Sequence, residues 1–172
     1  MTSGSCCYEP DCFSNVGTFQ GRNNVLGLGI SSARGAGNRP AGQQDMFYNT
    51  QWRQYAISGG GGSTLSADLW IPESWGDATN GNARADMWAV MTDGSAVSDY
   101  PIIGFTNYGS AARYRVWDDT LWIDLGTAVA YNAWMAFSIK FTGSSYEYFI
   151  NNSLVYTDTS INSSTGFSAT IM

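Results

Sequence analysis

Residues 134–156 read WMAFSIKFTGSSYEYFINNSLVY, and this stretch decides the fold. Large apolar residues occupy every second position over residues 135–141, which is the period of a strand that buries one face. The turn formers at 142–145 follow, and the alternation resumes over residues 146–150. Asn151, Asn152 and Ser153 then form a second turn. The stretch therefore predicts two paired strands and the start of a third.

Short strands separated by turn signals continue along the chain, a spacing that is typical of a β-sandwich. Residues 1–15 are predicted to be a Cys-containing N-terminal tail, and residues 16–172 a single domain. About ten strands are expected. Those outside the deciding stretch are predicted over residues 25–30, 47–57, 64–71, 85–92, 101–108, 112–117, 121–125 and 165–172.

The composition excludes several classes of function. Fourteen acidic residues face seven Arg and one Lys, Lys140, and the net charge is −6. Nucleic acid is therefore not expected as a partner, because no dense basic surface exists to displace its counterions. No apolar run has the length of a membrane span, so no membrane insertion is expected. The chain has no His, which excludes a Ser-His-Asp triad, a Cys-His dyad and imidazole metal ligation.

The pattern of residues 134–156 resembles the late hairpin of the concanavalin A-like lectin/glucanase, or laminin G-like, jelly rolls. In that superfamily a Trp, here Trp134, opens a strand, and the next strand ends in a Tyr-x-Ile/Val-Asn-Gly-like turn, here near Asn151. The resemblance covers roughly residues 20–172. It implies an all-β fold, a two-sheet antiparallel β-sandwich of the concanavalin A-like jelly-roll type. It also implies a glycan or polysaccharide partner. An extracellular or cell-surface location is expected from the composition, because low charge with 20 Gly and 15% aromatic residues is typical of secreted β-proteins.

One departure from the family pattern concerns the last strand. Members of the superfamily usually carry a further strand beyond the position of Met172, often with an aromatic-Asp-Asn motif. The domain is therefore expected either to lack its last strand, which leaves a sheet edge open, or to close differently, with a strand from another chain. An open edge favours self-association with a second chain, and this gives a structural assembly subunit as one alternative function.

Enzymes on this fold are the other alternative. Glycosidases of the superfamily place their carboxylates in patterns such as Glu-x-Asp-x-x-Glu, which does not occur in this chain. A polysaccharide lyase needs a Tyr or His near cations, and Arg113, Tyr114 and Arg115 are the nearest match. A glycoside hydrolase ranks below simple binding because its carboxylate pattern is missing, and a polysaccharide lyase does so because the chain has no His and few cations. No catalytic residue is assigned.

Sugar rings present flat C–H faces to aromatic rings, while their hydroxyls bond to amides, carboxylates and Arg. Strand alternation over 112–117 places Arg113, Arg115 and Trp117 on one face and Tyr114 on the other. Over 121–125 it places Leu121 and Ile123 in the core and two polar or aromatic residues outward. The candidate contact residues are Arg113, Tyr114, Arg115, Trp117, Trp122 and Asp124.

The remaining tryptophans divide into two groups. Trp75 lies in a polar loop and is a second candidate for an exposed, ligand-stacking ring, whereas Trp88 and Trp134 are interpreted as packing residues. Packing in the core or between sheets is also the alternative interpretation for each candidate Trp. The function predicted from these residues is a non-catalytic, lectin-like carbohydrate-binding module of an extracellular or surface protein.

Three cysteines lie near the N-terminus, at Cys6, Cys7 and Cys12. A disulfide between Cys6 and Cys12 is predicted, with Cys7 as the alternative partner of Cys12.

The resemblance further implies that a structural Ca²⁺ is compatible with the fold, and no other cofactor is expected. Candidate oxygen ligands are Asp77 with Asn80 and Asn82, Asp93, and the Asp118-Asp119 pair. None of these runs has the fixed spacing of a dedicated calcium loop, so no metal ligand is assigned.

Overall fold

The computed structural model describes residues 12–29 and 54–172, and the chain divides into two compact units, residues 1–54 and 55–172. In the first unit, β1 (Cys12–Asn15) pairs antiparallel with β2 (Leu26–Gly29). Phe19 and Arg22 exchange two backbone hydrogen bonds in the connecting segment. The described part of the first unit is therefore a β-hairpin with its own internal ladder.

The second unit is built from two antiparallel sheets. Their strands are β3 (Gln54–Gly59), β4 (Thr64–Ile71), β5 (Arg84–Thr92), β6 (Val97–Asp99), β7 (Ile102–Thr106), β8 (Arg113–Asp118), β9 (Leu121–Asp124), β10 (Ala133–Phe141), β11 (Tyr146–Ile150), β12 (Ser153–Asp158) and β13 (Gly166–Ile171). One sheet has four strands in the order β12-β11-β10-β4, and the other has the order β3-β13-β5-β7-β8-β9 with β6 paired to β5. Two short 3-10 turns, Glu73–Gly76 and Ala78–Asn80, lie between β4 and β5.

The core lies between the two sheets because alternate residues of each strand point inward. Met135, Phe137, Ile139 and Phe141 of β10 are all buried, as the deciding stretch predicts. They meet inward side chains of the seven-stranded sheet, and the rings of Phe137 and Tyr114 lie 5.6 Å apart in edge contact. The predicted all-β, two-sheet sandwich is thereby confirmed.

Most predicted strands are present with shifted ends. β4 has the predicted bounds, 64–71, and β10 pairs with β11 as expected from residues 134–156. Two strands were not predicted, because β6 is only three residues long and β1 lies in the supposed tail. The prediction for residues 47–57 lies partly outside the described residues.

The edges of the two sheets follow from the strand order. β12 and β4 border the four-stranded sheet, while β3 and β9 border the seven-stranded one. The C-terminal strand β13 is internal, since it pairs with β3 on one side and β5 on the other. Self-association through an open edge stays a prediction. Within residues 12–29 and 54–172, no helix is long and apolar enough to cross a membrane.

The surface of the seven-stranded sheet that faces away from the core is called the outer face below. Strand pairing sets which residues meet there, because partners in an antiparallel register share a face. Arg84 of β5 lies opposite Thr106 of β7, and Thr106 lies opposite Arg113 of β8. The same pairing register holds along these strands. Two residues further along each strand, the outer residues of β5, β7, β8 and β9 again lie beside one another in rows that cross the sheet.

Candidate functional site

The outer face carries a row of tryptophans that crosses the strands. Trp88 of β5 pairs with Ile102 of β7, Ile102 with Trp117 of β8, and Trp117 with Trp122 of β9. The Trp117 and Trp122 rings are in edge contact with centroids 5.4 Å apart. All three tryptophans are partly exposed, whereas Ile102 between them is buried. Since neighbouring strands lie about 4.8 Å apart, the row from Trp88 to Trp122 spans roughly 14 Å.

A buried ion pair lies beside this row. Arg115 Nη2 donates to both carboxylate oxygens of Asp86, at 3.0 and 3.3 Å, and Arg84 Nε lies 3.4 Å from the same carboxylate. Burial raises the pKa of Asp86, while the positive charges of Arg115 and Arg84 oppose that rise. Asp86 is thus a buried carboxylate that two guanidinium groups hold in place.

Gly104 makes room for this pair. It lies opposite both Asp86 and Arg115 in the sheet register. A Cβ atom at position 104 would collide with the Asp86 carboxylate and the Ala85 carbonyl. Only a residue without a side chain allows the Asp86 carboxylate to lie flat on the sheet at this point.

Arg115 also contacts the tryptophan row. Its guanidinium carbon lies 3.6 Å from the centroid of the Trp122 ring, which is a cation–π arrangement. Its Nε is buried and has no hydrogen-bond partner. One face of Trp122 is therefore covered by a charged group that Asp86 already fixes, so the indole ring is held rigidly.

A second ion pair lies at the exposed end of the same surface. Arg113 Nε donates to Asp124 Oδ1 at 2.7 Å. Arg113 Nη1 also donates to the carbonyl oxygens of Ala111, at 3.0 Å, and Tyr108, at 3.4 Å. Because the Asp124 side chain is 56% exposed, its carboxylate remains accessible to solvent.

These residues define one surface, which we call the arginine–tryptophan face. It comprises Arg84, Asp86, Trp88, Arg113, Arg115, Trp117, Trp122 and Asp124. Five of the six predicted contact residues meet on it. The sixth, Tyr114, is fully buried and accepts a hydrogen bond from the Ala130 amide through its hydroxyl at 3.3 Å. Alternation turns Tyr114 into the core, so its ring is not part of this surface.

Three further sequence interpretations change. Trp88, interpreted as a packing residue, lies on the arginine–tryptophan face, with its ring 6.1 Å from that of the exposed Tyr100. Trp75, predicted to be exposed, stacks on the core residue Phe105 with centroids 5.6 Å apart. Leu121, predicted to be buried, is 52% exposed because β9 is an edge strand.

Asp86 was not predicted as a site residue. The signal that identifies it is a charged residue within the otherwise apolar strand β5, on the face opposite Met87 and Ala89. Trp134, also interpreted as a packing residue, lies edge-on against Trp70 of β4 with centroids 5.7 Å apart, and both tryptophans are partly exposed on the outward side of the four-stranded sheet.

A cluster of carboxylates lies at one end of the sandwich. Asp99 ends β6, Asp119 lies in the turn between β8 and β9, and Asp158 ends β12. Asp99 Oδ1 accepts from the Tyr100 amide at 2.6 Å, but its buried Oδ2 has no hydrogen-bond partner. Burial, followed by the adjacent Asp119 carboxyl, raises the pKa of Asp99 to about 7.

The rest of the cluster is organised by hydrogen bonds. Asn162 Nδ2 donates to Asp119 Oδ2 at 2.7 Å, and the Ser160 amide donates to Asp158 Oδ1 at 2.7 Å. Burial is the main cause that raises the pKa of Asp158. The Tyr156 hydroxyl donates to Asp118, which raises the pKa of Tyr156 to about 12.

The expected calcium ligands do not assemble into a metal site. Among residues 12–29 and 54–172, no group of three or more His, Cys, Asp or Glu could hold a metal ion. Asp77 instead accepts from the Thr79 amide, and Asp93 from the amides of Ser95 and Ala96, so both carboxylates stabilise turns. Two of the three candidate ligand sets are therefore engaged in hydrogen bonds within turns. The predicted Cys6–Cys12 disulfide lies outside the described side chains.

Comparison with known proteins adds two distant similarities. No family model and no curated protein matches the chain. Among solved structures, it is similar to a carbohydrate-binding module from Bacillus subtilis, with 14% identity, 70% of this chain and 72% of that chain covered, and a TM-score of 0.42. It is also similar to a variant of human galectin-16, with 11% identity, 70% and 86% coverage, and a TM-score of 0.43. At these TM-scores, the sandwich assignment rests on the two sheets themselves.

Proposed function

We propose that the arginine–tryptophan face binds a glycan without cleaving it, and that the chain acts as a lectin-like module outside the cell. The observation that carries this proposal is the row of Trp88, Trp117 and Trp122 on the outer face of the sheet. Partly exposed tryptophans are costly on a surface unless they are covered or used. Three of them in one row across the strands suit the flat faces of consecutive sugar rings.

The polar groups beside the row supply the other half of sugar recognition. Asp124 offers carboxylate oxygens as acceptors, and Arg113 holds that carboxylate at 2.7 Å. Hydroxyl groups of a sugar bond well to such charged groups, because charge-assisted hydrogen bonds are the stronger ones. The direction of the row favours a linear polysaccharide that lies across the strands over a single ring.

Rigidity of the surface also supports binding. Trp122 is fixed by Arg115 at 3.6 Å and by the edge of Trp117. A ligand that stacks on rings already held in place loses less conformational entropy on binding. The side chains of the site also sit on strands β5, β8 and β9.

The test is native affinity electrophoresis against a panel of soluble neutral and acidic polysaccharides, with reducing ends measured in the same samples. The wild-type chain should be retarded by at least one polymer without new reducing ends. Trp122→Ala should weaken that retardation roughly tenfold or more, because a central aromatic contact carries much of the binding energy.

The matched control is Trp70→Ala, which removes a tryptophan from the edge-packed Trp70–Trp134 pair on the other sheet. It should leave retardation unchanged, while near-UV circular dichroism checks that both variants fold. Equal weakening in the two variants would contradict the location of the site. New reducing ends would show an enzyme, and no retardation by any polymer would overturn the proposal.

A further inference from the structure

The arginine–tryptophan face holds most of the positive charge of its unit. Residues 55–172 contain eleven Asp and Glu but only four Arg and Lys. Three of these four cations, Arg84, Arg113 and Arg115, lie on this one face of the seven-stranded sheet, and Lys140 lies on the other sheet. From the sequence alone, such a concentration suggests a site for acidic ligands.

In the structure, two carboxylates lie against these three guanidinium groups. The Asp86 carboxylate lies 3.0 Å from Arg115 Nη2 and 3.4 Å from Arg84 Nε. The Asp124 carboxylate lies 2.7 Å from Arg113 Nε. The Asp86 side chain is only 3% exposed, so an incoming anion could not displace it without leaving a buried charge unpaired. The Arg115 charge is therefore committed to the protein, whereas the side chain of Arg84, which contacts the same carboxylate, is 39% exposed.

At its exposed end, the arginine–tryptophan face presents the negative charge of Asp124 to a ligand. Its side chain is 56% exposed, whereas that of Arg113 is 23% exposed and has both Nε and Nη1 engaged. An approaching carboxylate or sulfate would meet the Asp124 charge before it met a guanidinium group with unused donors. The rest of the unit, with its excess of acids, repels the same ligand at longer range.

We infer that the arginine–tryptophan face selects uncharged glycans and that Asp124 is the residue that excludes acidic ones. This inference rests on the proposed glycan-binding function and names the class of ligand. Neutral sugars suit the exposed end of the face because the accessible Asp124 carboxylate of the Arg113–Asp124 pair offers acceptors to hydroxyl groups. Specificity of this kind comes from a repulsive element as well as from attractive contacts.

The experiment compares one polymer in two charge states. The neutral polysaccharide that most retards the wild-type chain is used as such and after partial TEMPO oxidation, which converts primary hydroxyls to carboxylates on the same backbone. The readout is the ratio of the affinity for the oxidised polymer to the affinity for the neutral one. In the wild type this ratio should be roughly one tenth or less at about 0.01 M salt, where like charges are poorly screened.

Asp124→Asn keeps an oxygen that can accept from Arg113 but removes the charge. It should raise the ratio roughly tenfold, and the gain should disappear at about 1 M salt, where the Debye length is about 3 Å. The matched control is Glu147→Gln, which neutralises the acid of the Lys140–Glu147 pair, whose Nζ and Oε2 atoms lie 3.1 Å apart on the four-stranded sheet. It should leave the ratio at the wild-type value.

The outcomes separate this inference from the proposed function. Retardation of the wild type mainly by acidic polymers, or a ratio that Asp124→Asn does not raise, would overturn charge selection while leaving glycan binding intact. A ratio raised equally by Glu147→Gln would show a general charge effect and overturn the role of Asp124. No binding to any polymer in the panel would overturn both proposals.

Discussion

Asp99→Asn should stabilise this protein at neutral pH, although it removes a charge from a buried position. Asp99 is 6% exposed, and its Oδ2 has no hydrogen-bond partner. The Asp119 carboxyl lies beside it, so two negative charges compete for one buried space. An Asn side chain has nearly the same shape, and its Nδ2 would donate to Asp119 where Oδ2 cannot.

The magnitude follows from the pKa. Burial and Asp119 raise the pKa of Asp99 from 3.8 to about 7 in the folded chain. The folded state therefore binds a proton more tightly than the unfolded state does. The contribution of protonated Asp99 to the free energy of unfolding is fully present below about pH 4 and is lost as the pH rises to about 7. At about 1.4 kcal/mol for each pKa unit, the loss amounts to at most about 4 kcal/mol.

The assay is urea denaturation of the wild type and of Asp99→Asn between pH 4 and pH 8. The wild type should lose stability across this range, and the variant should lose much less. With an m-value of about 2 kcal/mol/M, the full effect would shift the midpoint at pH 8 by about 2 M urea in favour of the variant. Because burial is the largest cause of the raised pKa of Asp99 and the Asp119 carboxyl comes after it, Asp119→Asn should remove only part of the same pH dependence.

Glu147→Gln is the control, since Glu147 pairs with Lys140 on a different sheet, and its pH profile should follow that of the wild type. An Asp99→Asn variant that is less stable than the wild type at pH 8 would contradict the raised pKa of Asp99. A wild type whose stability does not change between pH 4 and pH 7 would contradict it as well.

Two further predictions concern the buried ion pair of the arginine–tryptophan face. Arg115→Met should lower the free energy of unfolding in urea by about 3 kcal/mol, because Asp86 then keeps only the contact with Arg84. Adding Asp86→Leu should regain most of this loss. A double variant no more stable than the single one would contradict this prediction. Gly104→Ala should cost about 1–3 kcal/mol, since its Cβ collides with the Asp86 carboxylate. Its control is Gly126→Ala, where a Cβ meets nothing within 4 Å, and equal stability of the two variants would count against the packing argument.

The parts of the fold that sequence predicts well depend on local period. β10 and β11 alternate strictly, and their pairing across residues 142–145 follows from the turn. In β8 the same alternation places Arg113, Arg115 and Trp117 outward. It fails for Leu121, because an edge strand lacks a neighbour that would cover the inward side chain. The alternation along a strand determines which face of the sheet a residue lies on. Whether that residue is buried depends on the neighbouring strands that cover it.

The parts that sequence does not reveal depend on long-range register. Asp86 meets Arg115 because both lie opposite Gly104 in the sheet, although 29 residues separate them along the chain. Asp99 and Asp119 come together only because β6 and the β8–β9 turn lie at the same end of the sandwich. Neither pair leaves a spacing signal, and the Asp118-Asp119 dipeptide on its own indicates only a turn.

The carboxylate cluster and the tryptophan row are joined by that turn. Trp117 and Trp122 flank residues 118–121, so the two rings that contact each other lie next to Asp118 and Asp119. Tyr148 donates to the Trp117 carbonyl oxygen at 3.3 Å, and Tyr156 donates to Asp118, which ties the turn to the four-stranded sheet. The unfavourable contact between the Asp99 and Asp119 carboxyls therefore lies next to the turn that positions the Trp117 and Trp122 rings. Natural proteins tend to tolerate such local costs near functional sites, because selection acts on the site as well as on stability.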